Sequence, residues 1–235
     1  MLFRSTTSDS YPIFYSIDDT EPTIEYIKPI EIETSMKIKA AVKERGKNLG
    51  SIFEEEINLH KGVGATITID KEPHPSYNAG GKEALINGIS GSDTRYGDKE
   101  WLGFWGEDIV IKIERDPQVE ISNIKMRFFV SPGQWIYEPK EVWVYAPKKP
   151  EPPENESDVV MGFSFEQGAS LLLLSPYDEK SYMEFEYYHE FASEVPGLDD
   201  SPWIEIRVKN YGIIPEGLQG AGNKAWTFID EIIIE

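Results

Sequence analysis

The stretch Asp108-Ile109-Val110-Ile111-Lys112-Ile113-Glu114 decides the fold class, because its isoleucines fall at every second position with Lys112 and Glu114 between or beyond them. A period of two is that of a strand with one face buried and the other wet. After Pro202 the run Trp203-Ile204-Glu205-Ile206-Arg207-Val208-Lys209 repeats it, and Met36 to Lys43 alternates in the same way. Trp226 to Ile234, rich in aromatic and β-branched residues, reads as a last strand. No window of a dozen residues carries a 3.6-residue apolar stripe, and 19 Gly and 16 Pro punctuate the strands as turns. The sequence predicts an all-β chain built as sandwiches of short strands. Trp143, Trp203 and Trp226 lie within strand patterns and are expected in the core.

Composition narrows the function classes. At 235 residues the chain holds one large β domain or two small ones, and an eight-fold barrel enzyme, at about 250 residues, is nearly excluded. With 23 basic against 42 acidic side chains the net charge is −19, so nucleic acid and anionic bilayers are repelled. Hydrophobic content of 40% is too interrupted by charge for membrane insertion. There is no cysteine, which removes disulfides, thiolate nucleophiles and thiolate zinc sites. The opening MLFRSTTSDS lacks the apolar core of a signal peptide. Either the chain is cytosolic or Met1 begins a piece cut from a longer secreted precursor; the second reading, favoured by the family resemblance described below, would place it outside the cell, in the periplasm or on the cell surface.

Lys61-Gly62-Val63-Gly64 followed by Pro73-His74-Pro75 marks a boundary near residues 61–75. Residues 1–66 carry 8 basic and 11 acidic side chains (−3), leaving 15 and 31 (−16) for residues 67–235. The domains expected are therefore 1–66 and 67–235. Lys148 to Glu156, rich in proline and charge, reads as a long surface loop within the second.

In the first segment Tyr15-Ser16-Ile17-Asp18-Asp19-Thr20-Glu21-Pro22-Thr23 resembles the immunoglobulin-like module that follows the catalytic domain of chitobiase and related bacterial hexosaminidases. Asp19 stands where that pattern has a turn glycine, a position aspartate tolerates. Four blocks follow in order: Tyr77 to Ser92 with Asn87-Gly88 inside it, Trp101-Leu102-Gly103-Phe104-Trp105-Gly106, Trp135-Ile136-Tyr137-Glu138-Pro139, and Gly220 to Ile232. Together they resemble the discoidin-like (factor V/VIII type C, galactose-binding-like) module at the C-terminus of many secreted family-20 glycoside hydrolases, the β-N-acetylhexosaminidases. The resemblance implies a small immunoglobulin-like sandwich followed by a jelly-roll sandwich, and an accessory region whose partner is a catalytic barrel. It also implies a structural calcium, with Glu83 (through its carbonyl), Asn87, Ser92 and Glu231 at the matching positions; Asn87 replaces a common Asp. Such hard oxygen donors suit Ca²⁺.

Signals for catalysis are weak. The barrel family's His-x-Gly-Gly motif is absent, and His60, His74 and His189 show no zinc spacing. Adjacent carboxylates at Asp18-Asp19, Glu107-Asp108, Asp199-Asp200 and Asp230-Glu231 would point to opposite faces of a strand and are expected as solvated surface. Gly88-Ile89-Ser90-Gly91-Ser92 lacks the last glycine of a serine elbow, and Gly80-Gly81-Lys82 lacks a phosphate loop's first. Asn155-Glu156-Ser157 is a glycosylation triplet that arises readily by chance.

Sugar recognition needs an aromatic face against the apolar face of a pyranose. Trp101, Trp105, Trp135 and Tyr137 lie nearest the loops and are the expected carbohydrate-binding residues. The loop after Pro215-Glu216 carries Gly217 and Leu218 where the resembled modules often carry an aromatic and a histidine. The leading function, implied by the resemblance, is a non-catalytic accessory region of a secreted hydrolase, a β-N-acetylhexosaminidase, packing on its catalytic domain or holding glycan. The alternatives are a free-standing adhesion module that binds glycans or proteins, and a small all-β glycosidase with dispersed carboxylates.

Overall fold

A computed structural model describes residues 11–121, 123–145, 159–164, 182–188 and 202–235. The proline-rich loop, the glycosylation triplet, the pair at 199 and 200, and His189 fall outside these residues. The fold is all-β: among the described residues the only helical turns are two of 3₁₀ type, Lys82–Ile86 and Pro132–Gln134. The chain divides into two compact units between Leu59 and His60.

In the first unit β1 (Ile13–Ser16), β2 (Ile24–Glu25), β3 (Met36–Glu44), β4 (Lys47–Asn48) and β5 (Phe53–Ile57) form one antiparallel sheet around β3. The alternation of β3 places Lys37 and Lys39 together, where both reach Asp19 and Glu54 at 2.8 to 3.4 Å. Asp19 occupies the left-handed region at φ 61°, the conformation a glycine would supply.

The second unit is a sandwich of two antiparallel sheets. One has five strands in the order β11 (Val159–Ser164), β10 (Glu141–Tyr145), β13 (Trp203–Lys209), β8 (Ile109–Glu114), β6 (Ile67–Ile69). The other has four: β12 (Tyr182–Tyr188), β9 (Asn123–Phe129), β14 (Trp226–Ile234), β7 (Leu102–Trp105). Their facing sides form the core. Ile109, Ile111, Ile113, Val142, Val144, Ile204 and Ile206 from one sheet meet Leu102, Phe104, Met126, Phe128 and Ile229 from the other, all at most 2% exposed. That burial drives the sheets together.

The same period sends Trp143 and Trp203 outward, since Val142, Val144 and Ile204 beside them take the core face. Both are half-buried, as is Trp226, so none of the three belongs to the inter-sheet core as the sequence led one to expect. On the outer side of the four-stranded sheet a second cluster forms from Trp101, Phe129, Ile136 and Phe228, with Tyr77, Tyr96 and Trp226 packed on it. Gly103 permits this layer, because a Cβ there would overlap the Phe228 ring and the Cβ of Tyr77.

Residues 60–66 belong with the sandwich. Lys61 N–H donates to the Ile234 carbonyl (2.8 Å), Glu114 N–H donates to the Thr66 carbonyl (2.8 Å), and His60 is bound to Glu231.

Candidate functional site

Two sites follow from this architecture, an aromatic ledge built by loops and a buried carboxylate pair in β14.

The ledge is assembled where β7 ends, β14 begins, and the β9–β10 and β13–β14 loops meet them. Trp105 pairs with Trp226 across β7 and β14, and the two rings stack at 5.8 Å with 18° between planes. Trp105 remains 50% exposed, and its Nε1 donates to the Lys224 carbonyl at 3.2 Å. Trp135 caps the 3₁₀ turn Pro132–Gln134 and is tied to the same strand, its carbonyl accepting Trp226 N–H at 2.8 Å. Its backbone sits at φ 62°, ψ 24°, a region bulky side chains rarely occupy, while its ring stays 38% exposed. Gly220 lies flush against that ring, and a Cβ there would run into it. Around Trp226 the exposed His74 stands edge-on at 5.3 Å and Tyr77 at 5.5 Å.

Of the four aromatic residues expected from the sequence, Trp105 and Trp135 stay open, Trp105 stacked on Trp226 and Trp135 joined to the start of β14 through its backbone. Tyr137 lies just behind it at 5% exposure, stacked on Tyr211 at 4.7 Å, with its hydroxyl donating to the Gln219 carbonyl at 2.9 Å. It holds the β13–β14 loop and offers no open ring face. Trp101 is 0% exposed, edge-on to Phe129 at 5.3 Å, beneath the Arg127 guanidinium at 5.4 Å, with Nε1 donating to the Ser92 carbonyl at 3.0 Å. No face of it can meet a sugar. His74, Tyr77 and Trp226 were missed by sequence reasoning. The signal available was Pro73-His74-Pro75, whose prolines hold an aromatic side chain on extended backbone.

The second site corrects the expectation for Asp230-Glu231, which are 0% and 1% exposed and far from solvated surface. A bulge in β14 shifts the register between Ile229 and Ile232 and abolishes the simple alternation of faces there. Both carboxylates consequently meet the loop of residues 87–92. Asp230 Oδ2 accepts Gly91 N–H at 2.7 Å and pairs with Arg127 at 3.0 Å. Burial pushes its carboxyl up to about 7, with Arg127 pulling the other way. Glu231 Oε1 accepts Gly88 N–H at 3.0 Å and lies 2.7 Å from His60 Nε2. His60 Nδ1 faces the N–H groups of Gly62 (3.1 Å) and Ile234 (3.3 Å), so the proton shared with Glu231 is carried on Nε2.

This bears on the cation implied by the resemblance. Glu231 Oε2 is buried without a hydrogen-bond partner among the described residues. Burial accordingly raises its pKa. An orphaned carboxylate oxygen of this kind fits a hard cation. The other candidates are engaged elsewhere: Asn87 Oδ1 accepts Ile89 N–H (2.7 Å), its Nδ2 donates to Glu100 (3.0 Å), and Ser92 Oγ lies 3.4 Å from Thr94 Oγ1. Each of these oxygens keeps a lone pair for a second partner. No group of three or more His, Asp or Glu side chains gathers for a metal among the described residues.

With the geometry in hand, comparison with known proteins gives a partial placement. Residues 1–54 match the chitobiase/beta-hexosaminidase C-terminal domain family. Among curated proteins none matches the chain. Similar solved structures include the K2 cleaved adhesin domain of Lys-gingipain, at 13% identity over 57% of this chain and 71% of that one, with a TM-score of 0.30. A histidine mutant of the lectin binding domain of lectinolysin, complexed with Lewis b, is 9% identical over 76% of this chain and 96% of that one (TM-score 0.38). The K3 cleaved adhesin domain of Lys-gingipain from Porphyromonas gingivalis is 8% identical over 72% and 90% (TM-score 0.37). Likeness this distant carries no inference about ligand.

Proposed function

We propose that the chain is a non-catalytic accessory region of a secreted glycoside hydrolase, a β-N-acetylhexosaminidase, whose second, discoidin-like unit binds carbohydrate on the ledge of Trp105, Trp135 and Trp226. The observation that carries this reading is Trp135. A tryptophan held in left-handed backbone, with a glycine that leaves room for its ring and 38% of it still exposed, is a strained conformation of the kind kept at binding sites. An aromatic ring so fixed loses little entropy on stacking against a sugar. The match at residues 1–54 supports the hydrolase context, with the parent's catalytic domain as partner and export as its setting. The adjacent pair Asp230 and Glu231 in β14 is buried, closed off from any sugar.

Glycan-array binding by the full chain, with Trp135→Ala beside it, tests the proposal. Wild type binds and the variant falls at least tenfold with an unchanged melting temperature. Equal binding by the two, or turnover of a chromogenic N-acetylglucosaminide by the isolated chain, defeats it.

Calcium is proposed as the structural cofactor, held by Glu231 with Asn87, Ser92 and the carbonyl of Glu83; when bound it would supply positive charge to the buried carboxylate. A site filled at 100 times Kd stabilises by about 2.7 kcal/mol. Thermal melts in calcium against EDTA read this directly: the melting temperature rises with calcium in wild type and not in Glu231→Gln. Identical melts in calcium and EDTA exclude the ion.

A further inference from the structure

The outer face of the five-stranded sheet carries a cleft of about 470 Å³ that none of the above uses. Its floor is a cross-strand row, Trp143 on β10 opposite Arg207 on β13 opposite Val110 on β8. The next row is Tyr145, Glu205 and Lys112. Outward positions on an antiparallel sheet are ordinarily solvated, yet Glu205 is 1% exposed. Its carboxylate is clamped on both sides: Arg207 reaches Oε1 through Nε and a terminal nitrogen at 2.6 Å each, and Lys112 approaches Oε2 at 3.1 Å. The Arg207 guanidinium in turn lies 4.5 Å over the Tyr145 ring. Beside them Glu141 accepts from Trp143 Nε1 (3.2 Å) and pairs with Lys209 (3.1 Å).

The cleft is lined by three cations, Lys112, Arg207 and Lys209, and three carboxylates, Asp108, Glu141 and Glu205, so it offers fixed donors and acceptors with no net charge to attract an anion, on a chain of charge −19 that repels anions in any case. Its volume falls in the range of small-ligand sites. Val110 and the Trp143 ring supply an apolar floor between rigid polar groups. That combination matches a ligand with apolar C–H faces and a ring of neutral hydroxyls. From these observations we infer that the outer face of the five-stranded sheet is a second carbohydrate-binding site, for neutral oligosaccharides. The Glu205 carboxylate acts as a positioning residue that holds Arg207 and Lys112 in place. The inference is independent of the ledge, which lies on other loops.

The experiment uses the full chain on an array printed with neutral, sialylated and sulfated glycans, comparing wild type with Trp143→Ala, Val110→Trp and Trp135→Ala. Val110→Trp fills the cleft from an outward position and serves if Trp143→Ala fails to fold. The result expected is at least one neutral glycan whose signal drops tenfold or more in the cleft variants while staying within twofold in Trp135→Ala. If every neutral signal in Val110→Trp stays within twofold of wild type, the cleft binds no sugar and the inference falls. It falls equally if only sialylated or sulfated glycans respond to the cleft variants, or if no glycan binds at all. Loss in Trp135→Ala alone overturns the cleft and leaves the proposed function standing.

Discussion

Single positions separate packing from binding. Trp101 and Trp135 are both tryptophans at loop edges, yet one is 0% exposed and the other 38%. Trp101→Ala should cost about 3–5 kcal/mol in urea unfolding, as for other buried aromatic truncations. The exposed Trp135 should cost under about 1 kcal/mol while glycan binding drops. A Trp135→Ala variant that unfolds as readily as Trp101→Ala would make the ledge a packing device. At Gly220, φ 85° combines with contact to the Trp135 ring, so Gly220→Ala is expected to destabilise by about 1–3 kcal/mol and to displace that ring, visible as altered tryptophan fluorescence. Asp19 shows how far such positions are legible beforehand. The sequence marked it as standing at a glycine position, and the structure finds φ 61° there, but its ion pairs to Lys37 and Lys39 depended on which face β3 would present.

Among the elements, β14 departs furthest from its sequence pattern. Strict alternation would have put Asp230 and Glu231 on opposite faces, and composition favoured solvent for both. A one-residue bulge, invisible to periodicity, turns both toward the loop of residues 87–92, where Gly88 and Gly91 donate to them. That loop sets no periodicity of its own, so the contact was unreadable. Asp230→Asn removes the carboxylate opposite the buried Arg127 and is expected to destabilise by about 1–3 kcal/mol, measured by urea denaturation above pH 7, where that carboxylate is ionised. A change below 1 kcal/mol would show Arg127 to be held by its other contacts, Asp93 at 2.7 Å and the Trp101 ring at 5.4 Å. Strands β8 and β13 carry no such irregularity, and their inward and outward residues are those that alternation assigns.

For the whole molecule, the division between Leu59 and His60 makes a prediction about fragments. A chain beginning at His60 should unfold cooperatively with an intact sandwich. One beginning at 67 loses the His60 and Lys61 bonds to β14 and leaves Glu231 Oε1 with only its bond from Gly88 N–H, a loss of about 1–3 kcal/mol. Equal stability of the two fragments by chemical denaturation would show that residues 60–66 are dispensable. The sequence by itself determined the all-β class and the core faces of β8 and β13, because a period of two is set by strand geometry and survives any tertiary arrangement. It also singled out the loop tryptophans. Only the tertiary structure decided which of them kept an open ring, that two adjacent carboxylates are buried against one loop, and that an outward sheet face holds a clamped glutamate. Those outcomes depend on which residues distant in sequence close over a side chain, and no local pattern records that.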